Sequence, residues 1–495
     1  MHDDCFYLDL PGGWWYHAAR CAALVQSEYR LAYLTISYFH MTAIIVFCFL
    51  SILLVCGKLV RVLVPILQRC YLPSSVIGGA IGLLILQNFA HLFPEGCVEA
   101  ISKLPGFMIN VVFATLFLGV VTPPIRKVVR VAFPQLCFGQ MLAWGQYVIG
   151  FALVGFVLIP LFGVNEGFGN LLEIGFQGGH GTVSGMAESF EAFGWADGVA
   201  LGYTVATVGM LLAVIVGIIL VNWAGRRGYV KNIRSFSEQD RLQQKGIYSS
   251  AERPSAGWQT VYCDSIDSLA WHISLVGIAI LVGFGMQKGI QALEVYLFPG
   301  NETRLFSGFP LFPFCMIGGL LLQKVAQTIK VNSMIDHGQM QRVSGAALDF
   351  LVVSAMATIK FSVVLANWQA LLILMVLGLL LSLVMVVCVA PRLFRESWFE
   401  CAIAEFGQSL GVTATGLLLL RAVDPESKTC ATQAFGYKQL LHEPVMGGGL
   451  WTAMALTLLY KFGWGIMLAI SGFALACWIV AAVFICRHNK RETQQ

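Results

Sequence analysis

Residues 175–186 read GFQGGHGTVSGM, and this stretch decides which fold the sequence can adopt. It contains five glycines together with glutamine, histidine, threonine and serine, in a chain that is otherwise strongly apolar. The uncharged segment around it runs for only 14 residues between Glu173 and Glu188. A helix that crosses a bilayer needs roughly 20 apolar residues. We therefore interpret this stretch as a re-entrant hairpin, which enters the membrane and leaves it on the same side.

The composition of the whole chain indicates a membrane protein. Its 495 residues are 57% hydrophobic and only 12% charged, and the mean hydropathy is +0.75. Soluble domains and disordered chains do not have so much apolar surface. The net charge of +4 is too small to indicate a nucleic-acid partner. These values predict an all-α polytopic protein whose surroundings are a lipid bilayer.

Long uncharged stretches predict the number of crossings. Eleven of them approach the length that a spanning helix needs, although Asp349 and Lys360 interrupt one. They lie near residues 41–57, 71–94, 104–125, 135–160, 198–223, 268–287, 305–323, 343–365, 367–391, 444–460 and 462–486. A further stretch, FGQSLGVTATGLLLL at 406–420, has only 15 residues between Glu405 and Arg421. We interpret it as a second re-entrant hairpin near 400–422, which matches the first hairpin near 168–195.

The order of these segments repeats along the chain. Residues 41–223 and residues 268–460 each contain four spans, one short glycine-rich segment and a fifth span. Because five crossings are an odd number, the second copy is expected to lie upside down relative to the first. Residues 224–267 form a basic loop between the copies, and residues 461–495 form an extra C-terminal helix and tail. Residues 1–40 are expected to be an N-terminal extension, and the measured N-terminus of the native protein would show whether they are translated.

The distribution of lysine and arginine predicts an orientation. The loop at 224–267 carries a cluster of these residues and should be cytoplasmic. Counting spans outward from this loop places the other basic loops and the basic C-terminal tail on the same side. We therefore expect the N-terminus outside the cell and the C-terminus in the cytoplasm.

The two glycine-rich segments carry the groups that suit a ligand. Glycines let the backbone approach a ligand closely, half-helix N-termini suit a carboxylate, and hydroxyl groups suit a small cation such as Na⁺. The candidate substrate-binding residues are Gly178, Gly179, His180, Gly181, Thr182, Gly411, Thr413, Thr415 and Arg421. The candidate sodium ligands are Ser184, Gln408 and Ser409. The alternative interpretation is that these small residues serve tight helix packing.

Two of these residues have more than one interpretation. His180 is interpreted as a structural hydrogen-bond donor, as a contact to an anionic substrate, or as a group that couples proton movement. Arg421 either pairs with a carboxylate of the substrate or marks the point where the hairpin leaves the membrane. Metal ligation by His180 is not expected, because no second ligand lies at helical spacing.

Short motifs resemble the bacterial sodium/glutamate symporters of the glutamate:sodium symporter family. The first-hairpin motif GGHGT of that family stands at residues 178–182, and residues 407–415, GQSLGVTAT, are similar to its second motif of the form GxGLGATPT. The segment PSSVIGG at 73–79 is similar to the family's second span. The sequence departs from the second motif at Gln408, Ser409 and Ala414, and the long basic loop and the last helix are additional.

The resemblance implies a Na⁺-coupled symporter that imports glutamate by alternating access, in the bacterial inner membrane. Both hairpins would belong to a transport domain that moves as an elevator against a dimeric scaffold. The implied coupling ion is Na⁺, with no cofactor. A Na⁺-coupled carrier of another carboxylate, or a channel or sensor that kept the fold, is the alternative function. An enzyme ranks last, because no nucleophile pair or metal cluster is recognisable in the sequence.

Overall fold

The computed structural model describes residues 41–69, 72–120, 125–230, 245–248, 253–299, 309–424 and 428–493. Within these ranges the regular secondary structure is helical and no strand occurs, which confirms the all-α class. The extension predicted at 1–40 lies outside the described residues, and so do residues 231–244 and 249–252 of the basic loop predicted at 224–267.

We number thirteen helices of the described residues in chain order. The first half contains α1 (Met41–Leu63), α2 (Ser74–Phe89), α3 (Cys97–Thr115), α4 (Ile125–Leu153), α5 (Gly179–Gly185) and α6 (Asp197–Arg226). The second half contains α7 (Ser268–Leu297), α8 (Phe312–Thr328), α9 (His337–Ala357), α10 (Trp368–Val384), α11 (Trp398–Val423), α12 (Ala431–His442) and α13 (Leu450–Thr493). Helices α4 and α10 both continue for about two turns beyond their last residue, through a π-helical turn at Val154–Leu158 and at Met385–Val389.

Nine helices of the described ranges are long and apolar enough to cross a membrane, so the chain is a multi-pass membrane protein. Length and composition alone therefore do not establish the eleven spans predicted from the sequence. Some predicted boundaries also move. The span predicted at 104–125 is found at Cys97–Thr115, and the span predicted at 343–365 ends at Ala357 before a separate short helix, Phe361–Ala366. The charged residue Lys360 lies in the break between these two helices.

The helices pack into two groups. The support group consists of α1, α2, α3, α7, α8 and α9, and two hydrophobic clusters are centred on its residues. The hairpin group consists of α4, α5, α6 and α10 to α13, and it forms the centre of a much larger cluster. Each half of the chain therefore gives three consecutive helices to the support group and its remaining segments to the hairpin group.

Several loops that the sequence places on one side of the membrane contact one another. The Lys58 ammonium, at the end of α1, donates to the carbonyl of Gly246 at 2.8 Å. The Gly119 N–H, after α3, donates to the Gln323 side chain at 2.9 Å, and the Trp258 N–H donates to Asp336 at 3.1 Å. The predicted alternation of spans places both members of each of these pairs on the same side of the membrane.

Candidate functional site

A stripe of glycines on α6 receives both glycine-rich segments. Gly202, Gly209 and Gly217 are seven and eight residues apart, about two turns each, so they lie on the same face of this helix. A Cβ atom at each position would lie less than 3 Å from a side chain of the other segments. Those side chains are Val183 at Gly202, Phe176 at Gly209 and Leu419 at Gly217. The missing Cβ atoms are what allows these segments to pack directly on the helix backbone.

The first glycine-rich segment, hairpin 1, reverses direction at Gly178 and Gly179. A Cβ at Gly175, before this turn, would lie 3.2 Å from the carbonyl of Gly202, and Val183, after the turn, packs on the same glycine. Both arms of the segment therefore run along the same part of α6. Gly179 has φ of +70°, a conformation that a residue with a side chain rarely adopts.

The second glycine-rich segment, hairpin 2, folds back within α11. Gly411 and Val412 have non-helical dihedral angles, and Val412 has φ of 61° with ψ of 171°. A Cβ at Gly407, on the first arm, would lie 2.7 Å from the Cα atom of Gly416 on the second arm. The two arms are therefore antiparallel neighbours, although together they are long and apolar enough to be counted as one spanning helix.

The tips of the two hairpins meet near the middle of α6. A Cβ at Gly179 would lie 2.4 Å from the Cγ1 atom of Val412. At Gly209 a Cβ would lie 2.4 Å from the carbonyl oxygen of Leu410, at the tip of hairpin 2. Helix α6 has 30 residues and is about 45 Å long, so Gly209 lies close to its midpoint. Hairpin 1 packs on the N-terminal part of α6 and hairpin 2 packs on its C-terminal part. The two hairpins therefore reach their meeting point from opposite ends of α6.

A third interrupted segment passes beside these tips. Helix α12 ends at His442, a non-helical loop covers residues 443–449, and α13 begins at Leu450. Contacts with α4 follow the whole length of this path. In chain order, they join Lys438 to Gly139, His442 to Gln140, Trp451 to Trp144, and Trp464 to Gly155. The path from α12 to the kink at Gly463 therefore runs parallel to α4, with the loop near its centre.

This arrangement corrects the span predicted at 444–460. The structure places a single broken segment over residues 431–462, in which the part from 450 to 462 is only about 20 Å long. The helix stops because Pro444 has no backbone N–H and because Gly447 and Gly448 have φ of 65° and 107°. We call residues 443–449 the central loop.

Glu173 of hairpin 1 fixes the central loop. Its side chain is fully buried, and its Oε1 atom accepts hydrogen bonds from the Gly447 N–H at 2.7 Å and from the Thr452 hydroxyl at 2.9 Å. Its Oε2 atom accepts one from the Tyr147 hydroxyl of α4 at 2.8 Å. Three donors from two other segments therefore converge on this carboxylate. Their hydrogen bonds replace the water molecules that the carboxylate loses when it is buried.

The central loop also contacts the tips themselves. The Thr413 hydroxyl of hairpin 2 donates to Glu443 at 2.9 Å, and the Thr182 hydroxyl of hairpin 1 lies 3.4 Å from the carbonyl of Gly447. Just before the loop, the imidazole of His442 contacts the side-chain amide of Gln177 in hairpin 1. The loop thus joins both hairpins at their turns.

A buried charged pair lies on the first arm of hairpin 2. The Lys438 ammonium of α12 contacts Glu405 at 3.1 Å, and both side chains are at most 1% exposed. The ammonium also donates to the Gln408 amide oxygen at 2.8 Å, and the Gln135 amide of α4 donates to Glu405 at 3.0 Å. Such additional hydrogen bonds are what a desolvated ion pair needs to be retained.

The polar network around the tips has more acidic than basic groups. The described contacts include the carboxylates of Glu173, Glu405 and Glu443 but only one ammonium, that of Lys438. With all four groups ionised the network would carry a net negative charge. A cation among these oxygen atoms would lower the electrostatic cost of burying them.

Most of the predicted substrate-binding residues come together at the tips. Gly178 and Gly179 form the turn of hairpin 1, while Gly411 and Thr413 flank Val412 at the turn of hairpin 2. Thr182 lies one helical turn from its tip and faces the central loop. Thr415 is buried on the second arm, where its Oγ1 lies 3.0 Å from the position of a Cβ on Gly411.

Gly181 and Arg421 are not at the meeting point. Gly181 faces the support group, where a Cβ would lie 2.6 Å from Ile109 of α3. Arg421 is exposed in the last turn of α11 and lies nine residues, about 13 Å along the helical arm, from Val412. Its position matches the hairpin exit rather than a contact at the tip.

His180 is tied to α6. Its Nε2 atom lies 2.9 Å from the Thr207 hydroxyl, and that hydroxyl donates its single hydrogen to the carbonyl of Tyr203 at 2.8 Å. The imidazole must therefore be the donor in the first contact, with its proton on Nε2. This geometry favours the structural interpretation of the buried histidine.

The three predicted sodium ligands take part in internal hydrogen bonds. Ser184 donates to the His180 carbonyl at 2.6 Å, and the Ser409 hydroxyl lies 3.2 Å from that of Ser382. The Gln408 amide oxygen already accepts from Lys438 and from Gln439. Its two lone-pair positions are therefore used by these donors.

Sequence reasoning missed the acidic residues and the central loop. Glu173 and Glu405 stood out in the sequence only as the ends of uncharged stretches, yet each occupies the first arm of a hairpin and bonds to the broken segment. Their similar offsets, five residues before Gly178 and six before Gly411, were a signal that could have identified them. The combination of Pro444 with the glycines at 447–449 was a signal for the break.

Comparison with known proteins shows the family of the chain. The pattern of the sodium/glutamate symporter family matches residues 39–426, which covers α1 to the end of hairpin 2. A search of curated proteins gives no match. Helix α12, the central loop and α13 lie beyond the matched range, although their side chains complete the network around the tips. Because the match extends over most of the chain, the protein belongs to the sodium/glutamate symporter family, a family of transporters and not of enzymes.

Proposed function

We propose that this protein is a Na⁺-driven symporter that imports a small acidic substrate, with L-glutamate as the first candidate. The observation that carries the proposal is the meeting of two hairpin tips near the midpoint of α6, in a chain of this family. Interrupted segments that meet near the membrane centre are the arrangement of secondary transporters, because they place backbone polar groups around a central site. The central loop adds a third interrupted segment at the same level.

Na⁺ is proposed to bind near the central loop. Oxygen ligands suit this ion, and Glu443 provides a partly buried carboxylate beside the Thr413 hydroxyl at the tip of hairpin 2. The non-helical residues of the loop add backbone carbonyl groups at the same place. The excess of carboxylates in the network favours a cation there, and the anionic substrate would then lie on the glycine-rich backbone of the tips.

Transport is proposed to use an elevator movement of the hairpin group against the support group. The proposed membrane topology has eleven crossings and two hairpins, with residues 41–223 and 268–460 related as inverted repeats. In this topology the N-terminus is outside and the C-terminus is in the cytoplasm of a bacterium. The protein is proposed to act as a homodimer. The common order of segments in the two halves and the contacts among the predicted cytoplasmic loops support this topology.

Uptake by proteoliposomes tests the function. Purified protein should accumulate labelled L-glutamate under an inward Na⁺ gradient, and replacement of Na⁺ by K⁺ should reduce uptake to the level of empty liposomes. Equal uptake in K⁺ would overturn the coupling. Na⁺-dependent uptake of another dicarboxylate, without uptake of glutamate, would change the substrate and leave the coupling intact. Large passive currents without accumulation would identify a channel instead.

A substitution of Glu173 tests whether the central loop belongs to the site. In E173Q an amide group replaces one acceptor oxygen, so at least one of the three donors loses its partner. We expect Na⁺-dependent uptake to fall at least tenfold, while the protein still purifies as a folded species. E188Q is the matched control, because Glu188 is exposed at the end of the same segment. If E173Q and E188Q both take up substrate at the wild-type rate, the central loop does not belong to the transport site.

A further inference from the structure

A groove outside the transport site lies along the C-terminal half of α13. It has a volume of about 950 Å³ and is lined by α4, by the end of α10 with the residues that follow it, and by α13. This volume is at the upper end of the range of about 300–1,000 Å³ that is typical of ligand pockets. None of the residues that the transport proposal uses lines this groove.

The walls and the end of this groove differ in chemistry. Its walls are apolar and include Leu381, Met385, Leu475 and Ile479. Three arginines, Arg392, Arg395 and Arg487, line it as well, and among the described residues no acidic one does. Glu396 lines a separate adjoining cavity of about 220 Å³.

The apolar part of the groove opens towards the lipid. The spanning window of α13 is only 11% buried, so most of this helix faces the surroundings of the protein. Ile479 and Val483 line the groove and are still 47% and 44% exposed. An elongated apolar molecule in the bilayer can therefore enter from the side.

The basic residues lie at one end because of the local fold. Arg392 follows the π-helical turn of α10 and Arg487 lies near the end of α13, while the Cys486 thiol contacts the carbonyl of Arg392 at 3.1 Å. The Arg392 guanidinium donates to the carbonyl of Cys388 and has further N–H groups for an anion. Guanidinium groups at the end of an apolar groove match the phosphate and the acyl chains of a phospholipid.

We infer that this groove binds a phospholipid with an anionic headgroup. The acyl chains lie along α4, α10 and α13, and the phosphate contacts the arginine side chains. The C-terminal half of α13, which has no counterpart in the first half of the chain, then holds the lipid against the hairpin group. This site is independent of the transported substrate.

Lipid binding can be measured on the purified, delipidated protein. Native mass spectrometry should show retention of added phosphatidylglycerol, and this lipid should raise the melting temperature in detergent more than phosphatidylcholine does. R392Q/R487Q should weaken retention of phosphatidylglycerol about tenfold or more, because a hydrogen bond to a charged group contributes at least that factor. R226Q/R227Q is the matched control, since these exposed arginines lie at the end of α6 and do not line the groove.

Further measurements distinguish a bound phospholipid from other occupants of the groove. Glycerol 3-phosphate should not raise the melting temperature, and an equal rise with it would identify a soluble phosphate site instead. V483W narrows the apolar groove without a change of charge and should also weaken lipid retention. Equal stabilisation by phosphatidylcholine, or full retention by R392Q/R487Q, would overturn the inference. A change from dimer to monomer in V483W, with lipid retention unaffected, would overturn it too, by showing that a second copy of the chain covers the groove.

Discussion

At the residue scale, the contact between Gly179 and Val412 sets how closely the two hairpins approach. Gly179 has φ of +70°, and Val412 occupies a dihedral region that glycine readily adopts and other residues do not. A strained β-branched residue of this kind persists only where the surrounding packing holds it. The strain at the tip of hairpin 2 is therefore maintained by its contacts with hairpin 1 and with α6.

We predict that G179A destabilises the protein through two separate effects. The left-handed dihedral angle costs about 1–3 kcal/mol for a residue with a side chain, and the new methyl group would overlap Val412. G194A is the matched control, because Gly194 also has φ of +70° but its added methyl group would meet no atom within 4 Å. The melting temperature in detergent should therefore fall further in G179A than in G194A.

The double variant separates strain from overlap. V412G removes the side chain that the new methyl group meets and also the backbone strain of Val412, so the effect of G179A is measured against V412G alone. In that background the loss caused by G179A should shrink to the loss seen in G194A. Uptake should follow the same order if the tips form the site. Equal melting temperatures for G179A and G194A would show that the tips do not press on each other.

At the element scale, the Lys438–Glu405 pair joins α12 to hairpin 2. Removal of one partner leaves the other charge buried without compensation, which costs about 3–5 kcal/mol. We predict that K438M lowers the free energy of unfolding by this amount, and that K438M/E405L recovers most of the loss because no buried charge is left. The Gln135 amide keeps its second acceptor, the carbonyl of Cys401, in the double variant.

Unfolding in mixed micelles with increasing SDS checks this prediction. K103M is the control, because Lys103 forms an ion pair with Glu99 in which both side chains are largely exposed, and no measurable change is expected. If K438M unfolds like the wild type, Glu405 must be neutral in the folded protein. If the double variant is as unstable as K438M, the pair contributes specific packing that apolar side chains do not replace.

The hairpins and the broken segment show how far the sequence can predict elements. The two chain reversals lie in the segments that the sequence singles out, because 14 or 15 uncharged residues between charged ones are too few to cross a bilayer. Their re-entry into the membrane stays a prediction. The broken segment was missed because apolar residues after Leu450 outweigh the short polar run at 443–449 in a count of apolar length. The partners of Glu173 could not be predicted from the sequence either, since Gly447 lies 274 positions away and only tertiary packing brings the two residues together.

At the scale of the whole molecule, hairpin 1 forms part of the boundary between the two helix groups. Gly181 packs on Ile109 and Gly185 packs on Phe312, both in the support group. These contacts use glycine, so hairpin 1 presents almost no side chains to the support group there. At these two positions a glycine rather than a larger side chain meets the support group, which is compatible with the sliding that the proposed elevator movement requires.

A cross-link across this boundary tests the movement. A Cβ atom on Gly185 would lie 3.2 Å from the Cγ atom of Phe312, so the two Cβ atoms are at most about 4.7 Å apart. That separation is close to the range that a disulfide accepts. We predict that oxidised G185C/F312C loses transport and retains Na⁺-dependent glutamate binding, because the hairpins stay intact while the groups are locked together. Reduction should restore uptake.

Three comparisons make the cross-link interpretable, since the chain contains native cysteines. The wild type and the two single variants receive the same oxidant and should keep their uptake, so that a loss in the pair reports the new bond. Peptide mass spectrometry shows that the bond has formed. Full uptake by a fully cross-linked sample would contradict the elevator movement, because substrate would then cross while hairpin 1 remains fixed to α8. Loss of both binding and uptake would instead assign Gly185 to the integrity of the site.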